Sequence, residues 1–166
     1  MRKTPQHTTV LVGIGGSAGS RSAIRLAAEE AGYRGAELIA VMAYCGELAL
    51  EAPGGGPVAA LRTADDERAV AEAALRDTVA DALGDQAEKV QLRTVLGLAG
   101  RTLIETAQDV NAQLIVLASR GSASMLLGTV SQYVLRKAPC PVLVVPEPVV
   151  TARPAAAGHS PPARRR

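Results

Sequence analysis

The feature that most constrains this chain is a regular alternation of short apolar segments with longer segments of helical periodicity. The apolar segments are bounded by glycine, proline or serine, as strands are. They span Val10–Ile14, Leu38–Tyr44, Val90–Val95, Leu114–Ala118 and Val142–Val145. Apolar residues at helical spacing occupy the intervals between them. Strands that alternate with helices form parallel sheets through right-handed crossovers, so the sequence predicts a doubly wound α/β fold.

The character of the individual strands predicts their order in a five-stranded parallel sheet. Leu114–Ala118 is apolar on both alternating faces, as a central strand must be, whereas Val90–Val95 alternates apolar with polar residues and suits an edge. We therefore predict the order 3-2-1-4-5, with helices on both faces. The fifth strand is then an apolar edge, which favours pairing with another chain and predicts a homodimer. The residues of this fifth strand, through which the dimer would form, are Val142, Leu143, Val144 and Val145.

Length and composition predict one folded domain with two flexible ends. Residues 1–7 are expected to be a flexible N-terminus and 8–146 the folded domain. Residues 147–166 are expected to be a disordered tail, because they are rich in proline and alanine and lack helical or strand periodicity. Its last part, Arg153–Arg166, has four arginines and no acidic residue and is therefore basic, whereas the chain outside this segment has 14 basic and 16 acidic residues.

Composition also excludes several classes of protein. Phe and Trp are absent, which argues against stacking platforms for nucleic acid. No apolar run approaches the roughly 20 residues that cross a bilayer, so we predict a cytoplasmic protein without a membrane partner. Cys45 and Cys140 have no partner at metal-ligand spacing, so we predict no metal and interpret both as small buried hydrophobic residues.

Two glycine-rich loops follow the first and fourth strands, where the predicted strand order reverses. In an open parallel sheet, neighbouring loops leave a ligand-binding crevice at this point. The loops span Gly13–Ser20 and Ala118–Thr129. Glycine allows the backbone to approach a phosphate closely, and the first turn of a helix supplies unpaired N–H groups. We predict an anion site here. Its residues are Gly128, Thr129, Val130, Ser131 and, at the rim, Arg120.

These residues also have a purely structural interpretation. The glycines can make tight strand-to-helix turns, with Thr129 capping the last helix and Ser17 and Ser20 capping the first. The sequence leaves both interpretations open for any single glycine. Two such loops that meet at one crevice favour a ligand that carries phosphate.

Two segments of the chain resemble the universal stress protein family. Val10–Ser17 followed by Ser20–Ala31 is similar to the opening strand and helix of that family, and Leu114–Gly121 followed by Leu126–Val145 is similar to its closing signature. The resemblance covers about Thr8–Pro146. It implies an adenine nucleotide alpha hydrolase-like fold, a dimer joined through the fifth strand and, in one branch of the family, ATP held without an enzymatic role.

The resemblance implies a set of nucleotide contacts by position. The complete cofactor-binding set that we predict is Gly13, Ile14, Gly15, Ala43, Leu117, Ala118, Gly121, Gly128, Thr129, Val130 and Ser131. Three features depart from the ATP-binding branch: Gly15 stands where an aspartate is usual, Ala118 replaces a glycine, and the Ser122–Leu127 loop is three residues short. ATP, AMP and no nucleotide at all therefore remain alternatives.

No catalytic constellation is visible in the sequence. His7 and His159 lie outside the predicted fold, and the Asp65–Glu67 cluster begins a helix, where the dipole favours carboxylates. Glu47 is a weak candidate for a Mg²⁺ contact. We predict no catalytic residue and a dimeric stress-response protein that binds an adenine nucleotide. The alternatives are a dimeric interaction module without nucleotide and a small enzyme that hydrolyses a nucleotide phosphate.

Overall fold

A computed structural model describes residues 8–16, 19–45, 64–119 and 127–146. Within these ranges, strands alternate with helices in the predicted order. The strands are β1 (Thr9–Gly13), β2 (Glu37–Tyr44), β3 (Val90–Leu96), β4 (Ala112–Ala118) and β5 (Val142–Val145). The helices are α1 (Ser20–Arg34), α2 (Ala64–Leu83), α3 (Ala99–Asp109) and α4 (Thr129–Lys137). A 3-10 helix, Gly84–Lys89, joins α2 to β3.

The strands form one parallel sheet in the order β3-β2-β1-β4-β5, which confirms the predicted topology. β1 is the central strand, and Val10 pairs with Leu38 of β2 on one side and Leu114 of β4 on the other. The sequential order reverses between β1 and β4. Their carboxyl ends therefore lie side by side at the switch point of the sheet.

The two faces of the sheet pack against different helices. Successive side chains of β1 point to opposite faces, so Val10 and Val12 pack with Ile24 of α1 and Leu75 of α2. Leu11 lies on the other face in a second cluster with residues of α3 and α4. Helices cover both faces, as predicted, and the core is aliphatic.

Some strand boundaries differ from the prediction by one or two residues. Gly32 and Gly35 both suit the end of the first helix; α1 continues through Gly32 to Arg34 and ends at Gly35, whose φ of +58° is left-handed. Here glycine avoids the steric cost of that conformation. The 3-10 helix after α2 was not predicted. In the first turn of α4, Val130 is 37% exposed, whereas Val134, one turn later, is fully buried.

The predicted flexible ends, 1–7 and 147–166, lie outside the described residues, so the division into domain and tail stays a prediction. In the part of the chain that the structure describes, no helix combines the length and apolar character needed to cross a membrane.

Candidate ligand-binding crevice

A crevice of about 150 Å³ lies beside the carboxyl ends of β1 and β4. It is bounded by the end of β1, the end of β4 and the first turns of α3 and α4. The lining residues are Gly13, Ile14, Gly15, Ala99, Leu103, Leu117, Ala118, Gly128, Thr129, Val130 and Ser131. The described lining thus includes every predicted site residue except Ala43, Arg120 and Gly121.

The floor of the crevice is apolar and tightly packed. A Cβ atom placed on Gly13 would lie 2.6 Å from Cδ2 of Leu117 and 2.9 Å from Cδ1 of Leu103. Only glycine therefore allows β1 to end against these two leucines without displacing them. Both leucines are almost completely buried, so they form a rigid surface under the crevice.

The loop that follows β1 is held by two hydrogen bonds. The N–H of Ile14 donates to the carbonyl of Val41 at 2.8 Å, and the Oγ of Ser20 donates to the carbonyl of Gly15 at 2.6 Å. Ser20 was considered as a helix cap, but this assignment is wrong: the N-cap is Gly19, which makes no side-chain capping bond. Ser20 instead ties the first turn of α1 back to Gly15. Ser17 lies outside the described residues.

The start of α4 supplies polar backbone to the crevice. Gly128 is the N-cap, with extended backbone at φ −61° and ψ 161°, and no side chain caps the helix. The alternative in which Thr129 acts as the cap is therefore wrong. The first intrahelical bond runs from the N–H of Gln132 to the carbonyl of Gly128. The N–H groups of Thr129, Val130 and Ser131 precede this bond, and such groups have no partner within a helix.

Two lining residues were missed by sequence reasoning. Ala99 begins α3, and Leu103 follows one turn later. The apolar spacing of α3 predicted that Leu103 packs in the core, which is correct, since it is 4% exposed. No sequence signal placed the N-terminal turn of α3 beside that of α4. The tertiary packing of these two helices brings Ala99 to the crevice.

Three predicted residues are not part of the described lining. Ala43 lies on β2, two residues after Val41, which pairs with Gly13 at the end of β1. On its other side, Ala43 pairs with Val95 of β3. Ala43 is not among the described lining residues, and its contact with a ligand stays a prediction. Gly121 and Arg120 lie outside the described residues, and their predicted roles stay predictions.

Comparison with known proteins identifies the family. The universal stress protein family matches residues 7–146. The chain belongs to the universal stress protein family. Within it, universal stress protein Rv2005c of Mycobacterium tuberculosis is 37% identical over 143 residues, which cover 84% of this chain and 46% of that protein. The chain spans about half the length of the curated relatives that it matches first.

Solved structures of universal stress proteins have the same fold. UspA from Lactobacillus plantarum is 27% identical, with a TM-score of 0.63 over 86% of this chain and 99% of its own. A universal stress protein solved in complex with cAMP is also 27% identical, with a TM-score of 0.59 over 84% of this chain and 96% of its own. The family and the predicted fold class are therefore confirmed.

The crevice of this universal stress protein is chemically simple. None of its described lining residues has a titratable side chain. The acidic residues Asp65 and Glu67 lie in the first turn of α2, away from this lining. Among the described residues, no three His, Cys, Asp or Glu side chains converge as metal ligands would. His7, His159 and Glu47 lie outside the described residues.

The two cysteines differ in environment. Cys45 follows β2 and is exposed, with its Sγ 3.6 Å from the carbonyl oxygen of Gly97. Cys140 is partly buried before β5, and this burial raises the pKa of its thiol. The prediction that both are buried is wrong for Cys45. Neither lines the crevice.

Proposed function

We propose that this universal stress protein binds an adenine mononucleotide in the crevice between β1 and β4 and acts as a non-catalytic, dimeric stress-response protein. The observation that carries this proposal is the meeting of an apolar floor with the uncapped start of α4. An adenosine moiety needs the first, and a phosphate needs the second.

The two parts of the crevice suit the two ends of such a ligand. Leu103 and Leu117 offer apolar surface to the base and ribose. The backbone N–H groups of Thr129, Val130 and Ser131 are oriented by the helix and carry its positive dipole end, which favours a phosphate. Gly128 leaves open space before them, because a Cβ atom at this position would contact no atom within 4 Å.

The size of the crevice favours a monophosphate over ATP. Pockets for small molecules usually enclose about 300–1,000 Å³, whereas the described residues enclose about 150 Å³. Ala118 adds a methyl group where the ATP-binding branch has glycine, and Gly15 contributes no carboxylate. One of the two solved relatives that are 27% identical was solved in complex with cAMP, which is also an adenine mononucleotide.

The chemistry of the lining supports a binding role without turnover. Phosphate hydrolysis needs a positioned base, an acid or a metal ion within reach of the reacting atoms. The described lining offers backbone amides, two hydroxyl groups and apolar side chains. We infer that ligand occupancy, rather than a reaction, carries the signal.

The edge position of β5 supports a dimer. β5 pairs with β4 on one side, and its four residues are partly exposed. A second copy of the strand would cover this apolar edge. An interaction module without nucleotide is the second candidate, and the small volume of the crevice favours it.

The binding proposal is tested by equilibrium dialysis with AMP, cAMP and ATP, followed by analysis of the products. We expect AMP or cAMP to bind more tightly than ATP and to be recovered unchanged. Conversion of the nucleotide would contradict the non-catalytic role. Absence of binding at millimolar nucleotide would favour the interaction module.

A variant that removes one backbone N–H group at the start of α4 tests whether the phosphate binds there. Thr129→Pro places proline at the first helical position, which tolerates it, and removes one N–H donor. Hydrogen bonds to charged groups are worth about 1.5–3 kcal/mol, so we expect affinity to fall at least about tenfold. Thr129→Val removes the hydroxyl but keeps the N–H, and Ala64→Pro makes the matched change at the start of α2. Equal loss in Thr129→Pro and Ala64→Pro would contradict the assigned phosphate position.

A further inference from the structure

A second helix, α3, begins at the crevice beside α4. Its first residue, Ala99, lines the crevice, and its N-cap, Leu98, has extended backbone and makes no side-chain capping bond. The N–H of Thr102 donates to the carbonyl of Leu98 at 2.9 Å. The N–H groups of the three helical residues before Thr102 therefore have no partner within α3. Two uncapped helix starts border the same crevice.

Gly100 allows the first turn of α3 to lie close to α4. A Cβ atom at Gly100 would lie 2.9 Å from Cδ1 and 3.3 Å from Cβ of Tyr133, so any larger residue would force the ring or a helix to move. Tyr133 lies one turn after Thr129 on α4. Because the first turns are this close, the positive ends of both helix dipoles act on one small space.

The hydroxyl group of Ser131 is a second observation that points to a ligand in this space. Ser131 is 4% exposed and lines the crevice. Within the described ranges, no group hydrogen-bonds to its Oγ, and this oxygen is not sealed off by protein atoms. A buried hydroxyl without a partner is costly. A ligand in the crevice can supply that partner.

The net charge around the crevice comes from the two helix dipoles. The first turns of α3 and α4 contain no acidic residue, whereas the first turn of α2 contains three. Arg101 in α3 pairs with Glu105 at 2.7 Å, so the pair adds no net charge. β1, β4 and the described lining contain no ionisable residue. Each helix start is equivalent to roughly +0.5 elementary charge, so the two together supply roughly +1.

We propose that the crevice selects a nucleotide whose phosphate carries one negative charge, the phosphodiester of a cyclic mononucleotide, over a doubly charged phosphate monoester. This inference rests on the proposed function and adds the charge of the ligand to it. The two helix starts balance one negative charge, whereas a second charge would be buried without a counter-charge. The N–H groups at the starts of α3 and α4 and the Ser131 hydroxyl bind the phosphate oxygens.

The charge preference is tested by measuring nucleotide binding as a function of pH. A phosphate monoester loses its second proton near pH 6, so roughly 3% of AMP is singly charged at pH 7.5 and roughly 90% at pH 5. The apparent affinity of AMP should therefore rise by up to about 30-fold between pH 7.5 and pH 5, whereas that of cAMP, which keeps one charge, should change by less than about twofold. Equilibrium dialysis measures both affinities.

The outcomes of this titration separate the two proposals. An AMP affinity that stays constant or falls toward pH 5 overturns the charge preference and leaves nucleotide binding intact. Absence of binding by both nucleotides overturns the proposed function together with this inference.

The contribution of α3 is tested with two variants of Ala99. Ala99→Pro removes one N–H donor at the first helical position, which tolerates proline, and Leu98 already has the extended backbone that a following proline requires. Ala99→Val adds similar bulk and keeps the N–H. We expect Ala99→Pro to weaken cAMP binding at least about tenfold more than Ala99→Val does. Equal losses in the two variants overturn the role of α3.

The charge balance is tested with two variants of Val130, a partly exposed lining residue. Val130→Lys adds a positive charge, and Val130→Gln adds a neutral side chain of similar length. At pH 7.5 the ratio of AMP affinity to cAMP affinity should be at least about fivefold higher in Val130→Lys. Equal ratios overturn the proposal. A preference of the unmodified protein for doubly charged AMP that Arg120→Gln removes also overturns it, because Arg120 would then supply the counter-charge.

Discussion

Gly13 shows at the residue scale how the packing beneath the crevice depends on one missing side chain. Leu103 and Leu117 occupy the space that a Cβ atom of Gly13 would need, and they also form the floor of the crevice. The predicted role of Gly13 was close approach to a ligand. Its position in the structure adds a packing role that acts even in the absence of a ligand.

We expect Gly13→Ala to destabilise the fold by about 1–3 kcal/mol, because the added methyl group overpacks a rigid core. Urea unfolding followed by far-UV circular dichroism measures this change. Gly32→Ala is the matched control. Gly32 lies inside α1 with no atom within 4 Å of a Cβ atom, so alanine should stabilise the helix by up to about 1 kcal/mol. Similar effects of the two substitutions would contradict the packing role of Gly13.

The cysteines give a second prediction at the residue scale. Burial raises the pKa of the Cys140 thiol, which lowers its thiolate fraction at any given pH. Since the thiolate is the reacting species, iodoacetamide should alkylate the exposed Cys45 faster than Cys140 near neutral pH. The reactivity of Cys140 should rise at higher pH than that of an unhindered thiol. Peptide mass spectrometry of a labelling time course measures both rates, and faster modification of Cys140 would contradict the assigned burial.

At the scale of elements, the two edge strands of the sheet differ in chemistry. β5 is entirely apolar, whereas β3 carries Arg93 and Gln91. The proposed dimer follows this difference, because a second copy of the chain would cover the apolar edge of β5. The outward backbone groups of β5 can be identified, because Pro141 and Val145 accept hydrogen bonds from β4. The N–H of Val144 therefore points away from the sheet.

We expect Val144→Pro to dissociate the proposed dimer while preserving the fold. Proline is tolerated on an edge strand where the N–H faces outward, but it removes a donor that a second β5 would use. Sedimentation at micromolar concentration should show a dimer for the unmodified protein and a monomer for the variant.

Val144→Thr is the control for this experiment, because it keeps the N–H and the branched Cβ and should remain dimeric. Unfolding midpoints show whether the proline variant is still folded. A monomeric unmodified protein, or a dimeric Val144→Pro variant, would show that the subunits do not associate through β5.

At the scale of the whole molecule, the proposed ligand would link occupancy of the crevice to the stability of the entire fold. Its lining comes from β1, α3, β4 and α4, which lie on the sheet and on one of its faces. A ligand that needs all four elements in place binds the folded state and not the unfolded chain. Occupancy should therefore stabilise the entire fold.

We expect AMP at about 100 times its dissociation constant to raise the free energy of unfolding by about 2.7 kcal/mol. Urea denaturation with and without AMP measures this shift, and Thr129→Pro should reduce it. Adenosine is the control that lacks phosphate and should give a smaller shift. A shift with AMP that equals the shift with adenosine would contradict phosphate recognition at α4.

Much of the architecture was predictable from local sequence. The β5 prediction, Val142–Val145, is confirmed to the residue, and the other strands are correct within two residues. Periodicity reports which side chains face the core, and glycine reports where the chain turns. Helix ends were less predictable, because Gly32 and Gly35 both suit termination and tertiary contacts decide between them.

The sequence alone determined the alternation of strands and helices, and with it the fold class, the strand order and the loops at the switch point. The tertiary structure decided which residues share a surface. Ala99 lines the crevice, whereas Ala43 is not among its described lining residues. Hydrophobic periodicity is a local property, which a sequence displays directly. Proximity between distant segments depends on how helices pack across the sheet, and no local pattern encodes that.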